Sequence, residues 1–314
     1  NWFEPVGREV KMLRDHAGII DISNFANYEV KGPGAAAWLD QLLANHIPSE
    51  IGRSCLSPLI GVRGGVAGDF TVTKVAEDSF MMIGSGMAER YHQRFFNNVP
   101  LPKGTTFAIK TDDICGYNVA GPKSRALLQR LTNADLTAEN FRFMRSHMIK
   151  VAGVTCLAIR VSFTGDLGWE LHCAEADQVK LFTALLDAAK DVGGGPVGGR
   201  ALGSLRIEKG YGSWGREYSP EYWPQEVALD RLVKLDKEFL NKAAYLAVKD
   251  NIPRERLSVF EIDVAHDADA SGGEPIFLTD GTPVGRVTSG AYGYSVDKSL
   301  ALGFVKEGTA SPGD

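Results

Sequence analysis

The chain has little cysteine. Cys55, Cys115, Cys156 and Cys173 are scattered through 314 residues, with no Cys-x-x-Cys pair. That spacing fits reduced thiols in a cytoplasmic compartment, or the mitochondrial matrix in a eukaryote, better than a disulfide framework. The six histidines form no His-x-x-x-His pair. His172 and Cys173 are neighbours on an expected strand and point to opposite faces, so no metal site is expected. Basic residues are not in excess: 34 Lys and Arg against 39 Asp and Glu leave a net charge of −5, which argues against a nucleic-acid partner. No apolar run approaches the roughly 20 residues of a membrane span, and no basic segment leads into an apolar one as in a secretory signal. A Gly-Lys-Ser/Thr phosphate loop is also missing. Gly193-x-Gly195-x-x-Gly198 has dinucleotide-binding spacing, but an expected helix precedes it rather than a strand. Gly84-Ser85-Gly86 follows a strand, but Glu89 replaces the third glycine. Both read as turns.

What is present is ordinary globular material, 44% hydrophobic and 23% charged, in a length that suits two domains. Helices are expected over Glu4–Ala17, Ala35–Ala44 and Met87–Phe96, with strands near Ile19, Tyr28, Cys55–Ile60, Asp69–Val75 and Ser79–Ile83. The order then recurs. Tyr28-x-Val30-x-Gly32-Pro33 with Leu39 and Leu42 is matched by Tyr117-x-Val119-x-Gly121-Pro122 with Leu128 and Leu131, at one constant offset. The same offset carries Phe80–Phe96 onto the strand and helix beginning at Trp169. A constant offset implies two copies of one α+β unit, packed about a pseudo-twofold axis, with a site at their junction. After Pro253, residues 257–305 read as short strands between glycines, a small antiparallel sheet or barrel. The chain stops on the turn Ser311-Pro312-Gly313-Asp314, so that barrel reads as truncated. The expected organisation is therefore α+β, with residues 1–250 forming the repeat-containing domain and 251–314 the barrel.

Three stretches could carry chemistry. In Arg160-Val161-Ser162-Phe163-Thr164-Gly165-Asp166-Leu167-Gly168-Trp169-Glu170-Leu171-His172, a strand over Cys156–Phe163 breaks at a glycine turn and resumes in alternation. Trp169 and Leu171 then share one face, and Glu170 and His172 the other. A carboxylate held there beside a Trp suits a planar heterocycle with N–H donors, although a solvated hairpin Glu is the plainer reading. Gly64-Gly65-Val66-Ala67-Gly68-Asp69 allows close backbone approach and sets Asp69 at the start of a strand, either as a turn residue or aimed into a pocket. Gly199-Arg200 opens a helix over Ala201–Lys209, where Arg200 could clamp a carboxylate bidentately. Arg206 and Lys209 on that helix read as a solvated face.

Together these stretches resemble the glycine-cleavage T-protein (aminomethyltransferase) family, over nearly the whole chain. Gly64-Gly65-x-x-x-Asp69 is similar to the family's Gly-Gly-Ile-x-x-Asp motif. Arg160-x-x-Phe163-Thr164-Gly165-Asp166-x-Gly168-x-Glu170 is similar to its Arg-x-x-Tyr-Thr-Gly-Glu-x-Gly-x-Glu motif. Gly199-Arg200 with Leu205-Arg206-Ile207-Glu208 is similar to its Ala-Arg-Asp-x-Leu-Arg-Leu-Glu helix. The resemblance implies two repeated ferredoxin-like α+β units forming a folate-binding fold, followed by a C-terminal β-barrel. It implies tetrahydrofolate as cofactor and Asp69 as the catalytic carboxylate. Glu170 would contact the pterin, and Arg200, Leu56, Phe163 and Tyr211 would line the folate site.

Asn1-Trp2-Phe3-Glu4-Pro5-Val6-Gly7-Arg8-Glu9 and Glu208-Lys209-Gly210-Tyr211-x-x-Trp214-Gly215 look like dimethylglycine and sarcosine dehydrogenases. In those proteins a flavin half precedes a folate half. The implied reaction forms 5,10-methylenetetrahydrofolate from an iminium derived from an N-methyl amine. FAD would belong to a flavin-dependent dehydrogenase half upstream, not to this stretch. The sequence departs from the family at Leu56 and Phe163, each a Tyr in relatives, and at Asp166 for Glu, Ala201 for Asp and Asn24 for His. A folate-dependent S- or O-demethylase giving 5-methyltetrahydrofolate is the alternative enzyme. A non-catalytic folate-binding accessory protein is the alternative of another class, although its Lys-Gly-Cys motif has Tyr211 in place of the cysteine.

Overall fold

The computed structural model describes residues 2–264, 268–311 and 313. Asn1, at the head of the junction motif, and Pro312 and Asp314 of the terminal turn lie outside the described residues. Contacts divide the chain into two units. The first is Asn1–Leu39, His46–Leu56 and Phe70–Leu202; the second is Asp40–Asn45, Ser57–Asp69 and Gly203–Asp314.

Helix α1 (Phe3–Asp15) buries Val6, Val10 and Leu13 on one stripe. The chain then runs β1 (Gly18–Asp21), β2 (Ala26–Lys31), α2 (Ala35–Leu42), β3 (Ser54–Ile60), β4 (Val66–Ala76), β5 (Ser79–Gly84), a 3-10 turn and α3 (Glu89–Phe96). The same order follows again: β6 (Thr106–Ile109), β7 (Ile114–Ala120), α4 (Ser124–Gln129), β8 (Ser146–Val151), β9 (Val154–Ile159), β10 (Gly168–Ala174), a 3-10 turn and α5 (Gln178–Lys190). The repeat expected from the sequence is thus present element by element. Its turns match as well. Gly32 and Gly121 sit at φ +118° and +116°, and each accepts the bond that opens the next helix, from Ala35 N and Ser124 N.

The sheets show how the copies are joined. The five-stranded sheet has the order β3-β4-β5-β2-β6, and the six-stranded sheet, read from its far edge, β8-β9-β10-β7-β1 followed by β11 (Gly195–Pro196). Each copy's first strand has therefore left its own sheet. β1 pairs antiparallel with β7, and β6 pairs antiparallel with β2. One face of the six-stranded sheet packs Tyr117, Val119, Trp169 and Leu171 against Leu127, Leu128, Leu181 and Leu185 of α4 and α5. In the first copy the equivalent layer is aromatic, with Tyr28, Trp38, Phe70, Phe96 and Phe107 in mutual ring contact. On the inner faces, Ile83, Leu157 and Ile159 form a cluster with Val75, Met81 and Val161, so residues of both copies meet there.

The dinucleotide-like glycines serve packing. A Cβ on Gly194 would lie 2.4 Å from the Ala17 carbonyl, and β11 pairs parallel with β1. The strand expected over Cys156–Phe163 ends earlier, at Ile159. Arg160 N still bonds to Arg145 O, but Ser162 and Thr164 satisfy each other and the local backbone, so the ladder stops there. The helix expected at Ala201–Lys209 is α6 (Gly199–Ile207).

In the second unit, α7 (Lys242–Leu246) precedes a four-stranded antiparallel sheet. It is built from β12 (Glu255–Ile262), β13 (Pro275–Phe277), β14 (Pro283–Gly293) and β15 (Lys298–Lys306), in the order β12-β15-β14-β13. This is the small antiparallel C-terminal structure expected from the glycine spacing, and the chain as a whole is α+β. Among the described residues no helix is long and apolar enough to cross a membrane, and none of the four cysteines is in a disulfide.

Gly121 tests whether the copy's turn is sterically closed. A Cβ there would sit 2.4 Å from Leu13 O and 2.7 Å from His16 O, at a positive φ. Gly121→Ala should cost about 1–3 kcal/mol of stability. Gly203→Ala, in α6 with nothing within 4 Å, should instead stabilise by up to about 1 kcal/mol. Urea unfolding of both variants checks the pair.

Candidate functional site

Glu170 owes its position to the strands on either side of it in the first unit. It pairs with Asn118 of β7 and Ile159 of β9, and directly opposed residues project to the same side. Trp169 and Leu171, fully buried, point into the opposite core, as the alternation requires. The indole is therefore not a wall beside Glu170. It packs edge-on to Phe141, with the guanidinium groups of Arg125 and Arg160 over its ring at 5.8 and 5.9 Å. Arg160 of the hairpin motif donates to Phe141 O at 2.6 Å, so its work is to hold the hairpin base.

Asn118, which the sequence reading passed over, braces the hairpin from beneath Glu170. Its amide nitrogen reaches Val161 O at 3.3 Å and Trp169 O at 3.4 Å, and its oxygen accepts from Ser162 at 3.2 Å. Arg14 of α1 ties the hairpin tip by an ion pair to Asp166 and a bond of 2.9 Å to Thr164 O. Asp166 is shorter than the Glu of relatives and still reaches this partner. The Glu170 side chain remains 16% exposed and lies 3.5 Å from His172 Nε2. The His172 ring is almost fully buried, and neither nitrogen has a hydrogen-bond partner among the described residues.

The other expected folate-site residues of this unit stand apart in character. Leu56 is exposed on β3, and Phe163 is half-buried just before the hairpin turn. Arg200 is exposed at the second residue of α6. Its guanidinium lies 5.0 Å from the centre of the Trp2 ring, a cation–π contact. Trp2 is part of the N-terminal motif, and α1 also reaches α6 directly through Glu9, whose carboxylate accepts Gly198 N at 2.8 Å.

In the second unit, Asp69 follows a turn that only glycine can make. Gly64 has φ +81°, and a Cβ there would sit 2.7 Å from Ala244 O. A Cβ on Gly65 would fall 2.1 Å from Pro220 O. The backbone that these glycines approach is the chain's own, clamped further by Val66 N to Tyr222 O at 2.8 Å. Asp69 is half-buried, and desolvation pushes its carboxyl up to about 6, against a smaller lowering by a backbone N–H. An aspartate that served only as a turn residue in water would not be shifted this way. Tyr218 is raised to about 12, by burial first and then by the negative charge of Asp69.

Tyr211 is 40% exposed in the loop after α6, where Arg206 bonds to its carbonyl at 2.9 Å. Arg206 itself corrects the expected solvated face. It is 6% exposed, paired at 3.0 Å with the fully buried Glu217 and bonded to Ser289 at 2.6 Å. Burial alone would raise the Glu217 carboxyl. Arg206, the hydroxyls of Ser289 and Thr288, and Ser213 N outweigh it and hold the group below its usual range. A bulge between Val287 and Ser289 lets two consecutive side chains, Thr288 at 2.7 Å and Ser289 at 2.5 Å, donate to one Glu217 oxygen. No local sequence pattern announced this network, because its members come from α6, the aromatic loop and β14.

Two family models match the chain: the GCVT N-terminal domain over residues 1–237 and the glycine cleavage T-protein C-terminal barrel domain over residues 255–314. The chain is 35% identical over 309 residues to mitochondrial dimethylglycine dehydrogenase of Homo sapiens, a match covering 97% of this chain and 35% of that protein. It thus spans about a third of that relative's length. It is 30% identical to the aminomethyltransferase of Natranaerobius thermophilus, over 97% of this chain and 84% of the relative. The crystal structure of glycine cleavage system aminomethyltransferase T from Bartonella henselae matches with a TM-score of 0.85 at 25% identity, over 96% of this chain and 81% of that one. With its repeated sheets and its C-terminal strands both inside the matched regions, the chain belongs to the aminomethyltransferase, or glycine cleavage T-protein, family.

Proposed function

We propose that this chain carries out tetrahydrofolate-dependent one-carbon transfer, forming 5,10-methylenetetrahydrofolate from an N-methyl amine-derived iminium. It would do so as the folate half of a dimethylglycine or sarcosine dehydrogenase-like enzyme, with residues 1–250 as the folate-binding domain and 251–314 as the barrel. The observation that carries the reading is Asp69: a desolvated carboxylate, poised at about 6, at the family motif's acid position. The near end-to-end match to a third of dimethylglycine dehydrogenase supports the dehydrogenase-linked branch.

The residues present fit the cofactor. The inner face of β10 offers a part-exposed carboxylate, Glu170, an acceptor suited to N–H donors. Tetrahydrofolate, when bound, supplies the N5 and N10 amines that carry the one-carbon unit. Glu170 accepts hydrogen bonds from pterin N–H groups and sets the orientation of the ring. Asp69, ionised at neutral pH, faces positive charge at the reacting carbon and accepts the proton lost on ring closure. Phe163 and Leu56 offer apolar surface to the folate, while Tyr211 and Arg200 are assigned to its binding. Arg200 is suited to a carboxylate of the folate tail.

Glu170→Gln should weaken tetrahydrofolate binding by about 1–3 kcal/mol, because pterin donors lose an acceptor. Calorimetry under anaerobic conditions measures it, and an unchanged dissociation constant removes Glu170 from the site.

Asp69→Asn should bind tetrahydrofolate almost normally but transfer about 10²–10⁴-fold more slowly. In the unmutated chain, transfer should fall as pH drops through about 6, where Asp69 takes up a proton. That limb should be missing from the variant. A stability signature accompanies it. Because the folded value lies above the ordinary aspartate value of 3.8, the folded chain binds more protons than the unfolded one between about 4 and 6, and stability declines as pH rises through that window. Asp69→Asn should therefore raise stability at pH 7 by about 1–3 kcal/mol, and hardly at all below pH 4. A variant that transfers at the normal rate and gains no stability would return Asp69 to a turn role.

A further inference from the structure

The two copies supply an internal control for the inner sheet face. β5 pairs with β2 in the same register as β10 with β7: Met81 opposes Glu29 and Ile83 opposes Asn27, while Glu170 opposes Asn118 and His172 opposes Gly116. Met81 and Ile83 therefore occupy the positions of Glu170 and His172, and both lie in the apolar cluster between the copies. Packing alone is satisfied by Met and Ile at these places. The second copy instead sets a carboxylate and an imidazole there, in a ladder otherwise kept alike.

His172 is the costlier choice. It is 4% exposed, less than Glu170, and neither ring nitrogen has a hydrogen-bond partner among the described residues. A buried polar ring left in that condition costs stability. Room for it comes from Gly116 on the neighbouring strand, where a Cβ would approach Nδ1 to 3.2 Å. That contact turns Nδ1 toward backbone, and Nε2 faces the Glu170 oxygen at 3.5 Å.

Resting on the folate reading above, we propose that His172 is a positioning residue for the pterin-binding carboxylate. A small closure of the 3.5 Å separation would let its Nε2–H hold Oε2 of Glu170, so that the other oxygen is presented to the pterin N–H groups. His172 lies beneath Glu170 and does not itself touch the ligand. The pairing restricts carboxylate rotation before the ligand arrives, which is where preorganisation gains affinity.

The test is a set of variants in the intact chain, with tetrahydrofolate affinity by anaerobic calorimetry and thermal melting as a fold check. His172→Phe keeps the ring but removes the donor, and should weaken binding about tenfold. His172→Gln, which restores an N–H near the Nε2 position, should recover most of that loss. In a Glu170→Gln background, His172→Phe should have little further effect, since the group it positions is already altered. Unchanged affinity in a folded His172→Phe, or an equal loss in both backgrounds, overturns the proposal. If His172→Phe does not fold, the ring ¹⁵N resonances of His172 decide instead. They should report a protonated Nε2 and shift in Glu170→Gln, and no shift overturns the pairing. If the unmutated chain binds no tetrahydrofolate, the functional reading fails by itself, and the ¹⁵N comparison still decides the pair.

Discussion

The exchange of first strands between the two copies is the constraint on which the first unit depends. β1 completes the second copy's sheet and β6 completes the first copy's, so neither sheet has all its strands from one copy. A hairpin or a βα unit could close on local contacts. These pairings instead join residues far apart in the chain, such as Ile19 with Val119 and Tyr28 with Ile109. The entropy of closing such loops is recovered only when both sheets are in place, which couples the copies in folding. The inner faces of the two sheets meet in the same unit, where Ile83 packs with Leu157 and Ile159.

A duplicated unit is under the same packing demands twice, so departures from the repeat mark where something else was required. Tyr28 and Tyr117, Gly32 and Gly121, and the two 3-10 turns before α3 and α5 keep their roles. The inner face of β10 does not. Met81 and Ile83 give way to Glu170 and His172, and the surrounding strand pairing is left unchanged. Polar groups placed where a sister copy is apolar are expensive to bury, and here they are concentrated on one short strand.

The second unit uses a different means of holding its irregular loop. The segment after α6 has aromatic side chains but few ladder bonds, and Glu217 acts as its anchor. One buried carboxylate accepts from Arg206, Ser213, Thr288 and Ser289 and so joins a helix, a loop and a bulged strand. A buried ion pair is justified when its remaining lone pairs are satisfied, as they are here. Asp69 shows the opposite treatment. Desolvation outweighs the backbone N–H at its carboxyl, so its proton affinity rises rather than falls.

Much of the chain was legible in one dimension, because the signals involved act over short distances. The repeat, the Gly-Pro turns and the alternation that sends Trp169 inward and Glu170 outward follow from local backbone preference and spacing, whereas Asp69, Glu170 and Arg200 stood out only through their resemblance to family motifs. What depended on distant pairing was not legible. The strand exchange was hidden because β1 and β6 carry no mark of which sheet they join. Arg206 looked solvated because its partner, Glu217, comes from a loop and its cap from a bulge in β14. The sequence by itself determined the elements and their repetition, since propensity and period are properties of short segments. Only the tertiary structure decided the exchange of strands, the desolvation of Asp69 and the burial of Arg206 against β14, since burial is set by residues that the chain brings together from far apart.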